Sequence, residues 1–409
     1  MSMRVLAINT VCGSGSTGRI TCQIADVVVQ NGGEAAVAYG RNYYEKGCTV
    51  PTYRIGSKIG IYTHVALSRI TDRQGFFSKR ATRKLVTYIE KFNPDVIHLH
   101  NIHGYYLHLP TLFNFLAVYD KPVVWTLHDC WAFTGHCAHF DFIGCDKWKT
   151  GCHHCPQKGR YPASYVLDQS KRNWIEKKDL FTSIRDVTIV TPSQWLADLV
   201  KESFLQKYPV KVIHNGIDLS VFKPTPSTWK EDHGIDKPII MACAGVWDSR
   251  KGYQDVLKLA VLMPEYTTVI VGVSKTQIAH LSENIVGIQR TENIQELVNI
   301  YSVADVFVNT TYEDTFPTVN LEALACGTGV VTYNTGGSIE SIDDNNGAIV
   351  NQGDISAVKD IIELASSQWK TYLKQDYFNR ISSFNHKNAY FKLYFDLIKR
   401  VSLRTPHYR

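Results

Sequence analysis

The segment 312–331, YEDTFPTVNLEALACGTGVV, places an acidic turn directly before the predicted start of a helix. Pro317 suits the first turn of a helix, because the N–H that proline lacks would have no partner there. The amides of residues 318–320 would then be unpaired and would bind an anion such as a phosphate. Asp314 and Glu322 bracket that anion site, and carboxylates accept hydrogen bonds from sugar hydroxyls. The segment therefore predicts a pocket for a nucleotide sugar. Its predicted binding residues are Phe316, Pro317, Thr318, Val319, Asn320 and Glu322.

Basic residues that suit a diphosphate follow an earlier apolar run. In DSRKGY (248–253), Arg250 and Lys251 can neutralise the charge of a diphosphate leaving group by electrostatic catalysis. With Asp314, they are predicted to be catalytic. A glycine turn in NTGGSIE, before Glu340, lies in the same half of the chain. In this half of the chain, the predicted binding residues outside the acidic segment are Glu340, Arg290 and Thr291, the last two assigned by position alone.

A glycine-rich loop, CGSGSTG, follows the first apolar run near the N-terminus. Gly13, Gly15 and Gly18 match GxGxxG before a predicted helix, which is typical of a dinucleotide site. An acidic residue should then end the second strand, but Arg41 lies there instead. An NADP-dependent oxidoreductase with Arg41 on the 2′-phosphate therefore stays open, as does a loop that only makes a tight turn. The favoured interpretation is that loop amides meet a phosphate or a sugar hydroxyl. The predicted contacts here are Gly15, Gly18 and Arg19.

Histidines end two apolar runs in the first half of the chain. His128 and Asp129 end PVVWTLHD, and a His–Asp pair can act as a general base. His98, His100 and His103 end the preceding run; they line either an acceptor site or hydrogen-bonded edges of the core. His128 is the fourth predicted catalytic residue, with a role in positioning and charge stabilisation.

Four cysteines fall within 19 residues in the pattern C-x7-C-x6-C-x2-C: Cys137, Cys145, Cys152 and Cys155. The terminal CxxC suits two thiolates on one tetrahedral ion, which favours structural zinc. Cysteines that only pack the loop, and an iron–sulfur or redox role, remain open. Four thiolates would leave no open coordination position, so a catalytic zinc is not expected. The cluster is predicted to hold an insertion at about 130–162, with Phe140, Phe142 and Trp148 shaping acceptor recognition.

These residues must be positioned by an alternation of apolar strands and helices. Continuous apolar runs separated by helices are typical of parallel sheets covered on both faces, with ligands at the carboxyl ends of the strands. The first helix is predicted over 18–32. The predicted strands lie in 4–10, 34–40, 95–101, 122–129, 186–193, 238–246, 267–273, 305–311 and 329–335.

The alternation breaks once, at the proline-containing segment 211–228, which indicates a linker. The fold class is therefore α/β, with two doubly wound Rossmann-like domains facing a central cleft. We expect an acceptor-binding domain at 1–212 and a nucleotide-sugar domain at 213–385. A helix in 386–409 is predicted to cross back to the first domain.

Composition excludes several classes of protein. No apolar run approaches the roughly 20 residues that span a bilayer, and the N-terminal sequence is predicted to form a strand rather than a signal peptide. The net charge of +6 is too small and too dispersed to predict nucleic-acid binding. It suits an enzyme that handles phosphates or rests on an anionic membrane. A cytoplasmic protein, peripheral on the inner face of the plasma membrane, is expected.

The arrangement of these motifs, with NGID at 215–218, resembles the retaining glycosyltransferases of family 4, which have the GT-B fold. The likeness is strongest to bacterial exopolysaccharide enzymes of the colanic-acid type. The resemblance implies that Glu322 holds the ribose, that Asp314 contacts the donor sugar and that Lys251 binds the diphosphate. The position of the family's arginine is occupied by Val246 here. Arg250 is expected to take its role, because its side chain could reach the diphosphate.

The resemblance also implies the reaction. A hexosyltransferase (EC 2.4) would move a sugar from a nucleotide diphosphate to a hydroxyl of a lipid-linked saccharide, with retention and with no cofactor required for catalysis. The leaving phosphate, rather than a protein base, would assist on the same face of the sugar. A nucleotide-sugar epimerase of the same fold is the alternative, although the spaced carboxylates and EALACG favour the transferase.

Overall fold

The computed structural model describes residues 3–364, 369, 384 and 386–404. The chain divides into two compact units by its internal contacts. The N-terminal unit contains residues 1–214 together with 386–409, and the C-terminal unit contains residues 215–385. Among the described helices, none is both long and apolar enough to cross a membrane.

The N-terminal unit is built on a parallel sheet of seven strands. Its strands are β1 (Arg4–Asn9), β2 (Glu34–Tyr39), β3 (Thr52–Arg54), β4 (Val96–Leu99), β5 (Val123–Thr126), β6 (Val187–Thr191) and β7 (Val210–Val212). Its first six helices are α1 (Gly15–Gln30), α2 (Lys58–Thr71), α3 (Lys79–Phe92), α4 (Leu109–Ala117), α5 (Ser170–Phe181) and α6 (Gln194–Glu202). The strand order is β3-β2-β1-β4-β5-β6-β7, and because all the strands run parallel their carboxyl ends lie at one edge of the sheet.

The C-terminal unit repeats the architecture with six parallel strands. These are β8 (Ile239–Cys243), β9 (Thr267–Val271), β10 (Ile285–Ile288), β11 (Val306–Asn309), β12 (Val330–Tyr333) and β13 (Gly347–Val350). The helices are α7 (Trp229–Asp232), α8 (Tyr253–Leu262), α9 (Lys275–Ile278), α10 (Ile294–Val303), α11 (Thr318–Ala325) and α12 (355–364). The strand order, β10-β9-β8-β11-β12-β13, puts the largely buried strands β11 and β12 side by side, with α11 between them in sequence.

The last described helix, α13 (His386–Arg404), packs on α1 in the N-terminal unit. Its buried face contributes Tyr390, Leu393, Tyr394 and Leu397 to the core on that side of the sheet. Arg400 forms an ion pair with Asp186 in the same unit. Of the basic C-terminal sequence, residues 405–409 lie outside the described residues.

Every apolar run that predicts a strand contains one, and the predicted helix 18–32 corresponds to α1, which begins three residues earlier. The sequence did not predict β3, β7, β10 and β13, which are three or four residues long and lie toward the edges of the sheets. The prediction of a linker over 211–228 is wrong at its start, because β7 extends to Val212.

Candidate active site

The start of α11 is the part of the C-terminal unit that the sequence predicts as an anion site. The helix begins at Thr318, and Pro317 precedes it as the N-cap rather than occupying its first turn. The amides of Thr318 and Val319 lie where helix geometry provides no carbonyl partner. The expectation of a third unpaired amide is wrong, because the N–H of Asn320 donates to the carbonyl of Pro317 at 3.3 Å. Two amides and the positive end of the helix therefore remain for a phosphate.

Asn320 is held by the protein itself. Its side-chain oxygen accepts a hydrogen bond from Asn309 at 2.8 Å, and its amide nitrogen lies 3.1 Å from the Ser338 hydroxyl. The side chain is fully buried. It therefore ties α11 to β11 and to the turn that carries the second glycine motif, and it positions the helix start.

Lys251 and Asp314 meet at this site. Lys251 Nζ lies 2.5 Å from Asp314 Oδ2, and each side chain is about one-fifth exposed, at 21% and 19%. Asp314 Oδ1 also accepts the N–H of Phe316 at 3.2 Å. The structure thus brings together the cation predicted for a diphosphate and the carboxylate predicted for the donor sugar, although they are 63 residues apart in sequence.

Arg250 reaches the same acidic turn. Its guanidinium donates to the carbonyl of Glu313 at 3.4 Å, and its own carbonyl accepts the N–H of Tyr312 at 2.8 Å. Val246, in the position where the family has its arginine, is exposed. The short 3₁₀ turn Ser249–Lys251 therefore delivers two cations to the turn before α11.

Glu322 lies one turn into α11 and is buried, with 5% of its surface exposed. The Tyr301 hydroxyl lies 3.3 Å from Oε2, and the Thr318 hydroxyl lies 3.5 Å from Oε1. A buried carboxylate held by hydroxyl donors is preorganised to accept further hydroxyl groups. Its charge also helps to raise the pKa of the neighbouring Cys243 thiol to about 12, after the larger effect of burial.

The remaining predicted residues of this unit are less closely grouped. Glu340 is half-buried in the 3₁₀ segment Gly336–Ser341, where the N–H of Gly337 donates to the carbonyl of Asp314 at 3.2 Å. Arg290 is exposed and Thr291 half-buried, just beyond β10. Two strands, β9 and β8, separate β10 from β11. The structure therefore joins Glu340 to the turn before α11 and leaves Arg290 and Thr291 at the other side of the sheet.

The glycine-rich loop of the N-terminal unit is a tight turn with an accessible tip. Gly13 has a φ of +68°, and a Cβ there would lie 2.4 Å from the carbonyl oxygen of Tyr44. Gly15 has a φ of +64°, but no atom lies within 4 Å of the Cβ position. Gly18 is buried within α1, whereas Arg19 is exposed. Gly13 is therefore required by close packing, and Gly15 leaves open space at the helix start for a ligand.

His128 lies at the carboxyl end of β5 in contact with a second histidine. Its Nε2 is 3.0 Å from Nδ1 of His100. Burial lowers the pKa of His128 to about 4, although the charge of Asp129 opposes this effect. The ring is therefore neutral at pH 7 and would act through hydrogen bonds rather than through a positive charge of its own.

Asp129 pairs with His103 rather than with its sequence neighbour. His103 Nε2 lies 2.8 Å from Asp129 Oδ2, and Nδ1 lies 2.9 Å from the Tyr161 hydroxyl. Burial raises the pKa of Asp129, but the charge and the hydrogen bond of His103 lower it by more. The net shift of this pKa is downward, so the carboxylate is ionised. A small pocket is lined by His100, His103, His128 and Asp129 among others. The sequence named each histidine, but no spacing rule identified this Tyr–His–Asp chain.

The four clustered cysteines line one cavity beside Trp148 and Phe140. Cys137 and Cys155 are hydrogen-bonded to each other, and the N–H of Gly135 donates to Cys152 Sγ at 3.1 Å. Within the described part of the chain, no three of these four sulfurs lie within 4.8 Å of one another. Phe140 and Trp148 stack in the core with centroids 5.0 Å apart, so only Phe142 of the predicted recognition aromatics is exposed.

Comparison with known protein families identifies the family of this chain. The family of group 1 glycosyl transferases matches residues 227–380, and glycosyltransferase family 4 matches residues 19–221. The chain is a family 4 glycosyltransferase. The enzyme is 25% identical over 370 residues to the putative colanic acid biosynthesis glycosyl transferase WcaC of Escherichia coli K12, covering 86% of this chain and 88% of that protein. It is 27% identical over 161 residues to a D-inositol 3-phosphate glycosyltransferase of Mycobacterium sp. JLS, covering 36% and 37% of the two chains.

Solved structures confirm the predicted GT-B fold of the enzyme. Sucrose-phosphate synthase from Thermosynechococcus elongatus superposes with a TM-score of 0.71 at 17% identity, covering 98% of this chain and 100% of that one. Anabaena HepE in complex with UDP and glucose gives a TM-score of 0.65 at 16% identity, covering 96% and 99%. The oxidoreductase and epimerase alternatives are not favoured by these matches.

Proposed function

We propose that the enzyme transfers a sugar from a nucleotide diphosphate to a hydroxyl of a saccharide acceptor, with retention, in exopolysaccharide or capsule biosynthesis. The observation that carries the proposal is the group formed by Lys251, Asp314 and the start of α11. Lys251 and the helix amides suit the diphosphate, and Glu322, one turn further, suits the ribose hydroxyls. HepE is described in complex with UDP-glucose, which supports a nucleotide-sugar donor for its structural relatives.

Retention is supported by the way Asp314 is held. One oxygen pairs with Lys251 and the other accepts the N–H of Phe316. A carboxylate engaged in this way is suited to orient a sugar hydroxyl rather than to attack the anomeric carbon. We therefore propose that the leaving phosphate, stabilised by Lys251 and Arg250, receives the acceptor proton on the same face of the sugar.

The acceptor is proposed to be a lipid-linked saccharide, as the match to a putative colanic acid biosynthesis glycosyl transferase favours. Its binding would use the N-terminal unit, where His128, the Tyr161–His103–Asp129 chain and the tip of the glycine loop are the polar features. Neutral His128 would orient the acceptor or the donor sugar through a hydrogen bond.

Structural zinc in the four-cysteine cavity stays a proposal. Four thiols around one cavity are a suitable donor set, and an amide N–H to Cys152 Sγ would stabilise a bound thiolate. The sulfurs would have to converge by a shift of the loop, because zinc–sulfur bonds are only about 2.3 Å long. Zinc would hold the insertion and supply no catalytic step.

The test is titration calorimetry with UDP, GDP, their sugar conjugates and NADPH. We expect one nucleotide diphosphate to bind, and Glu322→Gln to weaken it by about 1.5–3 kcal/mol, tenfold or more, through loss of charge-assisted hydrogen bonds. Glu363→Gln is the matched control, because Glu363 pairs with Lys359 on α12 outside the site. Binding of NADPH alone, or equal affinities for the two variants, would refute the proposed donor site. The anomeric configuration of the product, read by NMR, tests retention.

A further inference from the structure

Three cysteines outside the CxxC cluster meet inside the N-terminal unit. Cys12 precedes the glycine loop, Cys22 lies on α1, and Cys48 follows the loop after β2. Their sulfur atoms all lie within 4.8 Å of one another, and the Sγ atoms of Cys12 and Cys22 are 3.5 Å apart. The residues are buried, with exposed fractions of 0%, 1% and 8%. Three segments of the chain therefore deliver three thiols to one point.

We propose that Cys12, Cys22 and Cys48 form a metal site for a thiophilic divalent cation of the Zn²⁺ and Cd²⁺ class. Thiolates bound to one zinc ion at about 2.3 Å in tetrahedral geometry lie roughly 3.8 Å apart. The three sulfurs are already near this spacing, so an ion can bind with small side-chain movements. The four-cysteine cavity does not show such a set.

The donor set and the surroundings select the kind of ion. An all-sulfur set favours soft or borderline cations over magnesium and calcium, which require oxygen. A divalent ion on three thiolates leaves one net negative charge, whereas a monovalent ion such as Cu⁺ leaves two. The site lies in a hydrophobic cluster with Ile20 and Val50, where burying the second charge would be costly. A divalent cation is therefore favoured, with its fourth position open as in three-ligand zinc sites.

An ion bound at this site would connect three segments of the N-terminal unit. The N–H of Cys12 donates to the carbonyl of Asn42 at 2.9 Å, and the Cys12 carbonyl accepts the N–H of Tyr44 at 3.0 Å. Gly13 packs against the carbonyl group of Tyr44, the same residue whose N–H bonds to Cys12. An ion on the three sulfurs would fasten the glycine loop to α1 and to the 42–48 segment. This inference does not depend on the identity of the donor or the acceptor.

The first test is titration of the reduced, full-length protein with Cd²⁺, followed by the ultraviolet thiolate-to-cadmium charge-transfer band. We expect Cys48→Ser to bind one equivalent fewer than wild type, because removing a ligand weakens the site by at least about 100-fold. Cys243→Ser is the matched control, since Cys243 lies in the C-terminal unit, which contains none of the three clustered thiols, and the change should leave the stoichiometry unchanged. Equal stoichiometry for the two variants would overturn the proposal.

A second measurement uses the wild-type protein and so avoids any folding defect of a variant. The protein is crystallised with Cd²⁺ and anomalous difference maps are calculated. A peak between the sulfurs of Cys12, Cys22 and Cys48 is the expected result. A cadmium peak only at the four-cysteine cavity, or no peak at all, would show that the three buried thiols are packing residues.

Discussion

A buried ion pair between Asp72 and His136 joins the end of α2 to the cysteine-rich insertion. Their side chains are 3% and 0% exposed, and Asp72 Oδ2 also accepts the N–H of Gln169 at 2.7 Å. Burial lowers the pKa of His136, but the hydrogen bond and charge of Asp72 raise it by more, so the net shift is upward. The imidazolium is therefore the form that the folded protein stabilises.

This pair predicts a pH dependence of stability. Because the pKa of His136 is raised on folding, its contribution is fully present below its ordinary pKa of 6.5 and is lost as the pH rises through the folded value. We expect urea unfolding to show a larger fall in stability between pH 6 and pH 9 for wild type than for His136→Gln. His153→Gln, an exposed site in the same insertion, should behave like wild type. Parallel pH profiles for wild type and His136→Gln would argue against the charged pair.

Single residues of the site were predictable where a local rule applied and not where chain topology decided. Asp314 and Glu322 flank a helix start that proline and spacing indicate, and Lys251 follows a strand, so local rules in the sequence predict all three as site residues. The partner of Asp129 is His103, 26 residues away, because β4 and β5 are neighbours in the sheet. Cys12, Cys22 and Cys48 follow no metal-ligand spacing, and only the packing of α1 on the sheet brings them together.

Elements were predicted best where they are buried on both faces. Strands such as β1 and β12 read as continuous apolar runs, and the structure buries them almost completely. Edge strands have a partner on one side only and include exposed residues, as in β3 and β7. Their sequences lack the apolar run that identifies a strand, so their pairing depends on the rest of the sheet.

Two leucines of α13 allow a test of how far this helix, from the end of the chain, stabilises the N-terminal unit. Leu397 is buried in the core that α13 shares with α1, whereas Leu403 is 77% exposed. We expect Leu397→Ala to lower the free energy of unfolding by about 2–5 kcal/mol through lost burial and the cavity left behind. Leu403→Ala, the same change on the same helix, should stay within about 0.5 kcal/mol of wild type. Chemical denaturation measures both, and equal losses would mean that α13 does not support this core.

At the scale of the whole molecule, we propose that the surface formed by α2 and α3 makes the peripheral contact with a membrane that the sequence predicts. Ile59 and Tyr62 of α2 are 79% and 72% exposed. A hydrogen bond connects the two helices: Nδ1 of His64, on α2, lies 2.8 Å from the hydroxyl of Ser78, the residue directly before α3. The exposed cations of α3 near this point are Lys79, Arg80, Arg83 and Lys84. Apolar residues beside clustered cations are typical of surfaces that rest on anionic lipid.

Sedimentation with phosphatidylglycerol-containing vesicles tests this surface. Each cation near an anionic bilayer contributes about 1 kcal/mol, so Arg80→Glu with Arg83→Glu should weaken binding roughly 30-fold or more. Lys237→Glu with Lys275→Glu is the matched control, because it changes the net charge equally on exposed sites of the C-terminal unit. If both double variants lose binding equally, only the overall charge of +6 attracts the protein to lipid. A loss confined to the α3 variant would assign membrane contact to the unit proposed to bind the lipid-linked acceptor, while donor binding, measured as for Glu322→Gln, should remain unchanged.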